Sequence, residues 1–184
     1  MKTRIPLRAA VTLSLVIAVS SLGTLSGANS SAPLVLHGDG LALALLGSRE
    51  AVAQSALVKR LGSPTKALSS TPALENCGVT AIASWRSLSA YFDRGRLVGL
   101  SFGPVTTPSV VTSLGLRLGD TIQVARSLYG KALRLSKSQG GAWFVKTSDG
   151  RLDGFLRPSN GRPGPTSRIL TIDVGDVGCP AMSP

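Results

Sequence analysis

The sequence predicts an α+β fold: two tandem helix–β-hairpin repeats, with the helices packed on one face of an antiparallel sheet. Three observations predict it. Residues 46–62 (LGSREAVAQSALVKRLG) are echoed by 118–130 (LGDTIQVARSLYG), each copy opening on Leu-Gly and a helix-capping residue and closing on Gly. A second phrase follows each copy, GRLVGL at 95–100 and GRLDGF at 150–155. The order is the same both times: capped helix, Trp-bearing strand, Asp turn, Gly-Arg-Leu. The helix copies differ in length by four residues, close to one helical turn, which preserves the buried face.

The chain divides into residues 1–28, 29–109 and 110–184. The first is read as a signal peptide. Lys2, Arg4 and Arg8 precede an apolar run over 9–19 that is too short to span a bilayer, and Ser26-Gly27-Ala28 suits cleavage. The expected location is secreted, extracellular or in the cell envelope, with membrane attachment only through an uncleaved leader. The net charge of +11 falls to +8 once Lys2, Arg4 and Arg8 are removed. Such a chain is drawn to acidic surfaces, either an acidic protein or an anionic cell-wall polymer. Its cations are scattered singly and aromatics are few, so nucleic acid is not an expected partner.

The first repeat, 29–109, opens on a short strand at Leu34-Val35-Leu36 and a turn at His37-Gly38-Asp39-Gly40. The helix is expected from an N-cap at Ser48, with Glu50 in the first turn and Lys59 and Arg60 in the last. Ala53, Leu57 and Leu61 form its buried stripe, and Gly62 with Pro64 stops it. Residues 63–84 read as a long loop containing Cys77. A strand over 85–92 alternates, with Leu88, Ala90 and Phe92 on one face and Trp85, Ser87, Ser89 and Tyr91 on the other. Asp93-Arg94-Gly95 turns the chain into a return strand over 96–102.

The second repeat, 110–184, has Asp120 as helix cap and Gln123 completing a capping box; Val124, Ala125, Leu128 and Tyr129 form the inner face. A strand over 142–147 carries Trp143 at an even spacing from Asp149, as Trp85 is from Asp93. If the turns align, both tryptophans share a side of the sheet, opposite a floor of Leu88, Ala90, Phe92 and Phe144. Residues 157–166 (RPSNGRPGPT) form a proline–glycine loop, and a last strand over 167–174 aligns Leu170, Ile172 and Val174.

In an exported chain two cysteines, Cys77 and Cys179, are first read as a disulfide. Closing a loop of about 100 residues gives about 4–5 kcal/mol in the chain-entropy treatment. Two thiols and one histidine do not make a zinc cage. Catalytic residues, cofactors and metals are not expected. There is no nucleophile elbow, His-Glu-x-x-His, phosphate loop or dinucleotide fingerprint. His37 with Asp39 is the weak hydrolase alternative, and Asp149 with Asp153 lacks the rest of a calcium loop. The candidate binding face is Trp85, Arg86, Tyr91, Trp143 and Lys146, aromatic anchors beside cations on one outward sheet face. The leading expectation is therefore an exported, non-catalytic binding module that is protein-binding or inhibitor-like through one sheet face. A structural envelope protein held by its basic charge is the alternative.

A family resemblance rests on three phrases. Leu-Gly, cap, helix, Leu-Gly-x-Pro at 46–64 resembles the start of the repeat in the secreted beta-lactamase inhibitor protein (BLIP). The same phrase is similar to the single unit of outer-membrane-assembly lipoproteins of the SmpA/BamE kind, while Gly119 to Gly130 lacks the closing proline. Thr112, Gly115, Leu116 and Gly119-Asp120-Thr121 match the phrase T-x-x-G-[IL]-x-x-G-[DS]-T of exported bacterial proteins. The resemblance implies the tandem helix–hairpin fold. Two cysteines permit one disulfide where the inhibitor has two, so beta-lactamase inhibition is not carried over.

Overall fold

A computed structural model describes residues 32–69, 71–104, 109–136, 141–157 and 163–177. The leader and Cys179 lie outside them, as does 158–162 of the proline–glycine loop. The chain begins with β1 (Leu34–His37), β2 (Gly40–Leu41) and β3 (Ala44–Leu45), followed by α1 (Glu50–Leu61). Next come β4 (Lys66–Ser69), the single-turn α2 (Pro72–Glu75), β5 (Ala81–Ser84), β6 (Leu88–Asp93) and β7 (Arg96–Phe102). The later part holds β8 (Val110–Thr112), α3 (Ile122–Tyr129), β9 (Arg134–Ser136), β10 (Ala142–Thr147), β11 (Gly150–Arg157), β12 (Arg168–Ile169) and β13 (Ile172–Gly175). The class is α+β, mostly sheet, with helices packed against it.

Two sheets share the core. The large one runs β4-β5-β6-β7-β13-β11-β10-β9, all antiparallel, with β12 paired to β11. The small one runs β3-β2-β1-β8, where β1 pairs parallel with β8. That last pairing joins segments more than seventy residues apart and leaves no local trace in the sequence. The core lies between one face of the large sheet and a layer made of α1, α3 and the small sheet. Leu36 and Leu41 from the small sheet, Ala53 and Leu57 from α1, and Ile122 and Ala125 from α3 meet Phe92, Leu100, Trp143 and Ile172 there.

Both helices start one residue later than expected. Ser48 is not the cap of α1: Arg49 holds that place without a side-chain bond, and the Ser48 carbonyl accepts from Leu97 N–H at 2.9 Å. Asp120 does not cap α3 either. Thr121 Oγ1 accepts from Val124 N–H at 3.3 Å, while Asp120 Oδ2 accepts from Arg117 N–H at 2.8 Å. The inner face of α3 is Ile122, Ala125 and Tyr129, whereas Val124 is 40% exposed. Ala125 and Tyr129 belong to the expected face, Leu128 packs partly against the core, and Ile122 takes the place expected of Val124.

The stretch 63–84 is not a plain loop. It holds β4, α2 and β5, with β4 paired along its length to β5. The four residues of β4 are all exposed and its two apolar residues, Ala67 and Leu68, are adjacent, so period-2 patterning is absent. The last strand is interrupted too. Leu170 and Thr171 separate β12 from β13, and Leu170 is only half-buried while Ile172 and Val174 are fully covered.

The repeated phrases occupy matching places on either side of one strand. Hairpin β6–β7 and hairpin β10–β11 both flank β13, which pairs antiparallel with β7 and with β11. Leu100 and Leu152 each oppose Val174. The copies differ by a bulge: β7 slips register against β6 between Tyr91 and Phe92, and β11 runs unbroken along β10.

Candidate functional site

The large sheet has a second face, away from the helices, and the register places unusual chemistry on it. One lateral row crosses eight strands, each residue opposite the next: Lys66, Ser84, Ser89, Ser101, Asp173, Asp153, Phe144 and Arg134. Residues directly opposite across a sheet share a side, so these point away from the core. One end of this face is covered. Leu74, Val79, Ile82 and Tyr91 form a small apolar cluster there, with Cys77, Val98 and Val177 against it.

The expected binding face of Trp85, Arg86, Tyr91, Trp143 and Lys146 is not assembled. Trp85 is 7% exposed, Tyr91 2% and Trp143 0%. The tryptophans do share a side of the sheet, but it is the core side, with Leu88, Ala90 and Phe92. Their indole N–H groups end on backbone carbonyls, Trp85 on Gly62 at 2.8 Å and Trp143 on Thr171 at 3.3 Å. The expected opposition of Trp85 to Leu88 fails because 85–92 is not one strand. Trp85 and Leu88 exchange backbone bonds of 2.7 and 3.3 Å around Arg86-Ser87, a two-residue turn that brings Trp85 back beside Leu88. Phe144 likewise stands on the second face rather than in the floor of the core. Of the five residues, Arg86 and Lys146 remain exposed.

The open half of the second face centres on Phe144, which is half-buried. Arg134 stands opposite it on β9 and Asp153 on β11; Lys146 and Arg151 form the next cross-strand pair. The Arg151 guanidinium lies 4.6 Å from the Phe144 ring centroid, a cation–π contact. Its Nε donates to Asp153 Oδ2 at 2.9 Å. Arg134, Lys146 and Arg151 are exposed, and a hollow of about 550 Å³ opens among Ala132, Arg134, Leu135, Phe144 and Lys146.

Between the open and covered halves lies a carboxylate pair. Asp173, 3% exposed, is directly opposite Asp153. Its Oδ1 accepts from Ser101 Oγ at 2.6 Å and its Oδ2 from Thr171 Oγ1 at 3.1 Å. Thr171 Oγ1 in turn accepts from Phe155 N–H at 2.9 Å. Burial pushes the Asp173 carboxyl up to about 6, against the pull of the Ser101 and Thr171 hydroxyls. Burial also raises Asp153, opposed by the Arg151 charge. Asp153 belongs to a sequence motif only as half of an incomplete calcium loop with Asp149, and Ser101, Thr171 and Asp173 belong to none. The available signal was Asp173 itself, a charge inside the apolar run Leu170-Thr171-Ile172-Asp173-Val174.

His37 finds a carboxylate, but not Asp39. Its Nδ1 lies 3.3 Å from Asp149 Oδ2, across from the β10–β11 turn. The Asp149 carboxyl is held below the usual carboxylate range, chiefly by the neighbouring Thr147 hydroxyl, against some burial. That hydroxyl is buried and lies near Asp149 without meeting strict hydrogen-bond geometry, so it acts on the carboxyl as a nearby dipole. Gly38 allows the two turns to touch, because a Cβ there would fall 2.3 Å from Thr147 Oγ1. Among the described residues no group of three or more His, Cys, Asp or Glu side chains could hold a metal ion. Cys77 sits half-buried against the small apolar cluster, and Val177, two residues before Cys179, packs on the same cluster.

No protein-family model matches this chain, and no curated protein or solved structure matches it. The geometry of the second face therefore carries the functional argument. No helix among the described residues is long and apolar enough to cross a membrane.

Proposed function

We propose that this chain is an exported, non-catalytic binding module that docks an acidic protein surface on the open half of its second sheet face. One observation carries the reading: a half-buried phenylalanine, Phe144, ringed by the exposed cations Arg134, Lys146 and Arg151. Flanking cations meet carboxylates, and the ring supplies apolar contact at the centre, the arrangement in which interface energy concentrates. Phosphate-rich polymers offer no apolar surface to that ring, which favours a polypeptide over an anionic wall polymer. The net charge of +8 without the leader adds long-range attraction to an acidic partner.

Within the same proposal, the chain is two tandem helix–hairpin units after a cleaved leader, fastened by a Cys77–Cys179 disulfide. The echoed phrases and the two hairpins flanking β13 support the repeat. The packing of Val177 and Cys77 on the same small apolar cluster supports the bond. The likeness to the beta-lactamase inhibitor protein and to the SmpA/BamE unit stays a resemblance of phrases.

The test is a titration of the isotopically labelled mature protein with a synthetic peptide alternating Glu and Phe, followed by amide NMR shifts. Shifts should cluster on β9, β10 and β11. Phe144→Ala should weaken binding by about tenfold or more while changing stability by under about 1 kcal/mol. Trp143→Ala, a core change, should instead cost about 3–5 kcal/mol of stability. Shifts scattered over the basic surface, equal binding by Phe144→Ala, and loss of all binding in moderate salt would together favour a charge-held envelope protein instead.

A further inference from the structure

Resting on the docking reading above, we propose that Asp173 gates the open face: the acidic partner binds more tightly when this carboxyl is neutral. The geometry supplies the coupling. Asp173 lies in the same lateral row as Phe144, two strands away, with Asp153 between them. Two strand spacings are about 10 Å, close enough for a buried charge to act on a partner's carboxylate seated at Phe144. An ionised Asp173 repels that carboxylate. It also faces a second anion, Asp153, which already occupies Arg151 Nε.

The charged and titratable groups around Asp173 come from several elements. Asp153 and Arg151 face it from β11, and Lys146 and Arg134 lie beyond on β10 and β9. From β7 it meets Ser101, and Ser89 and Tyr91 lie beyond on β6 on the same side of the sheet; Arg86 lines the adjoining cleft, and Asp176 follows β13. Burial of Asp173 at 3% exposure brings its proton exchange to about pH 6, far above a peptide glutamate. His37 stands against Asp149 at the β10–β11 turn, so it needs its own control.

The direction follows. Lowering pH from 7.5 to 5.5 removes the Asp173 charge, while the carboxylates of a Glu–Phe peptide remain ionised. Affinity for that peptide should rise about three- to tenfold, the effect of one partly screened charge at about 10 Å. His37→Gln should keep the rise. Asp173→Asn should bind tightly at both pH values. Ser101→Ala removes a hydrogen bond that favours the ionised carboxyl, so its affinity step should move to higher pH. Binding that is equal at the two pH values in the unmodified protein, or a rise that persists in Asp173→Asn, overturns the gate and leaves docking standing. A rise abolished by His37→Gln assigns the effect to the histidine and also overturns it. Absence of binding at both pH values, in Asp173→Asn as well, overturns docking and the gate together.

Discussion

Asp173 is the residue at which burial and ionisation conflict most. Its carboxyl titrates near 6 in the folded chain, above the roughly 3.9 of an unfolded aspartate. The folded state therefore holds the proton more tightly than the unfolded one. The ionised form weakens folding, fully above about pH 6, and that penalty fades as pH falls toward the unfolded value. The difference between about 6 and roughly 3.9 corresponds to about 3 kcal/mol at most. Urea denaturation should show this contribution growing more favourable between pH 7.5 and 5, and Asp173→Asn should remove the difference. An Asp173→Asn protein with the same pH dependence as the parent would place the titration elsewhere. The two tryptophans make the opposite point about legibility. Their equal parity was readable, but which side they shared was not, because a two-residue turn at Arg86-Ser87 looks in sequence like the middle of a strand.

At the scale of elements, the phrases that repeat in the sequence are positions where backbone must approach backbone. Gly99 in GRLVGL lies under the chain that leaves β13: a Cβ there would fall 2.0 Å from the Asp176 carbonyl oxygen. Gly154 in GRLDGF seats Thr171 in the same way, at 2.1 Å from its carbonyl oxygen. Gly99→Ala should therefore lift the segment after β13 and destabilise the fold by roughly 1–3 kcal/mol, within the range of overpacked sites. Gly103→Ala is the contrast, since nothing stands within 4 Å of a Cβ there. Thermal melts of the two variants would separate them, and equal losses would mean that the crossing chain is not fixed by Gly99. The helices, the hairpin turns and the order of elements were legible because capping, periodicity and Asp-Gly turns are local. The parallel pairing of β1 with β8, the exposed strand β4 and the break at Thr171 were not, because each is decided by distant chain.

For the whole molecule, the candidate site depends on the order in which strands sit, β7-β13-β11-β10-β9, and no sequence window spans it. The row from Ser101 through Asp173 and Asp153 to Phe144 is assembled from three separate parts of the chain. The proposed disulfide belongs to this scale as well, because it would tie the end of the chain to the covered half of the second face. Non-reducing peptide mapping should link Cys77 to Cys179, and reduction should lower Tm by several degrees, from a loss of about 2–5 kcal/mol. Recovery of both thiols in free form from the exported protein would remove the proposal.

The central place of β13 has a kinetic consequence. Residues 172–175, among the last described in the chain, form the strand between the two hairpins. A ribosome therefore delivers both flanks of the large sheet before it delivers the strand that joins them. Until then each hairpin has an unpaired edge, an arrangement open to mispairing and slow to resolve, since the joining contacts span much of the chain. A nascent chain cut short of residue 172 has two half-sheets with no seam, and holding factors would have their longest access to it until that strand emerges.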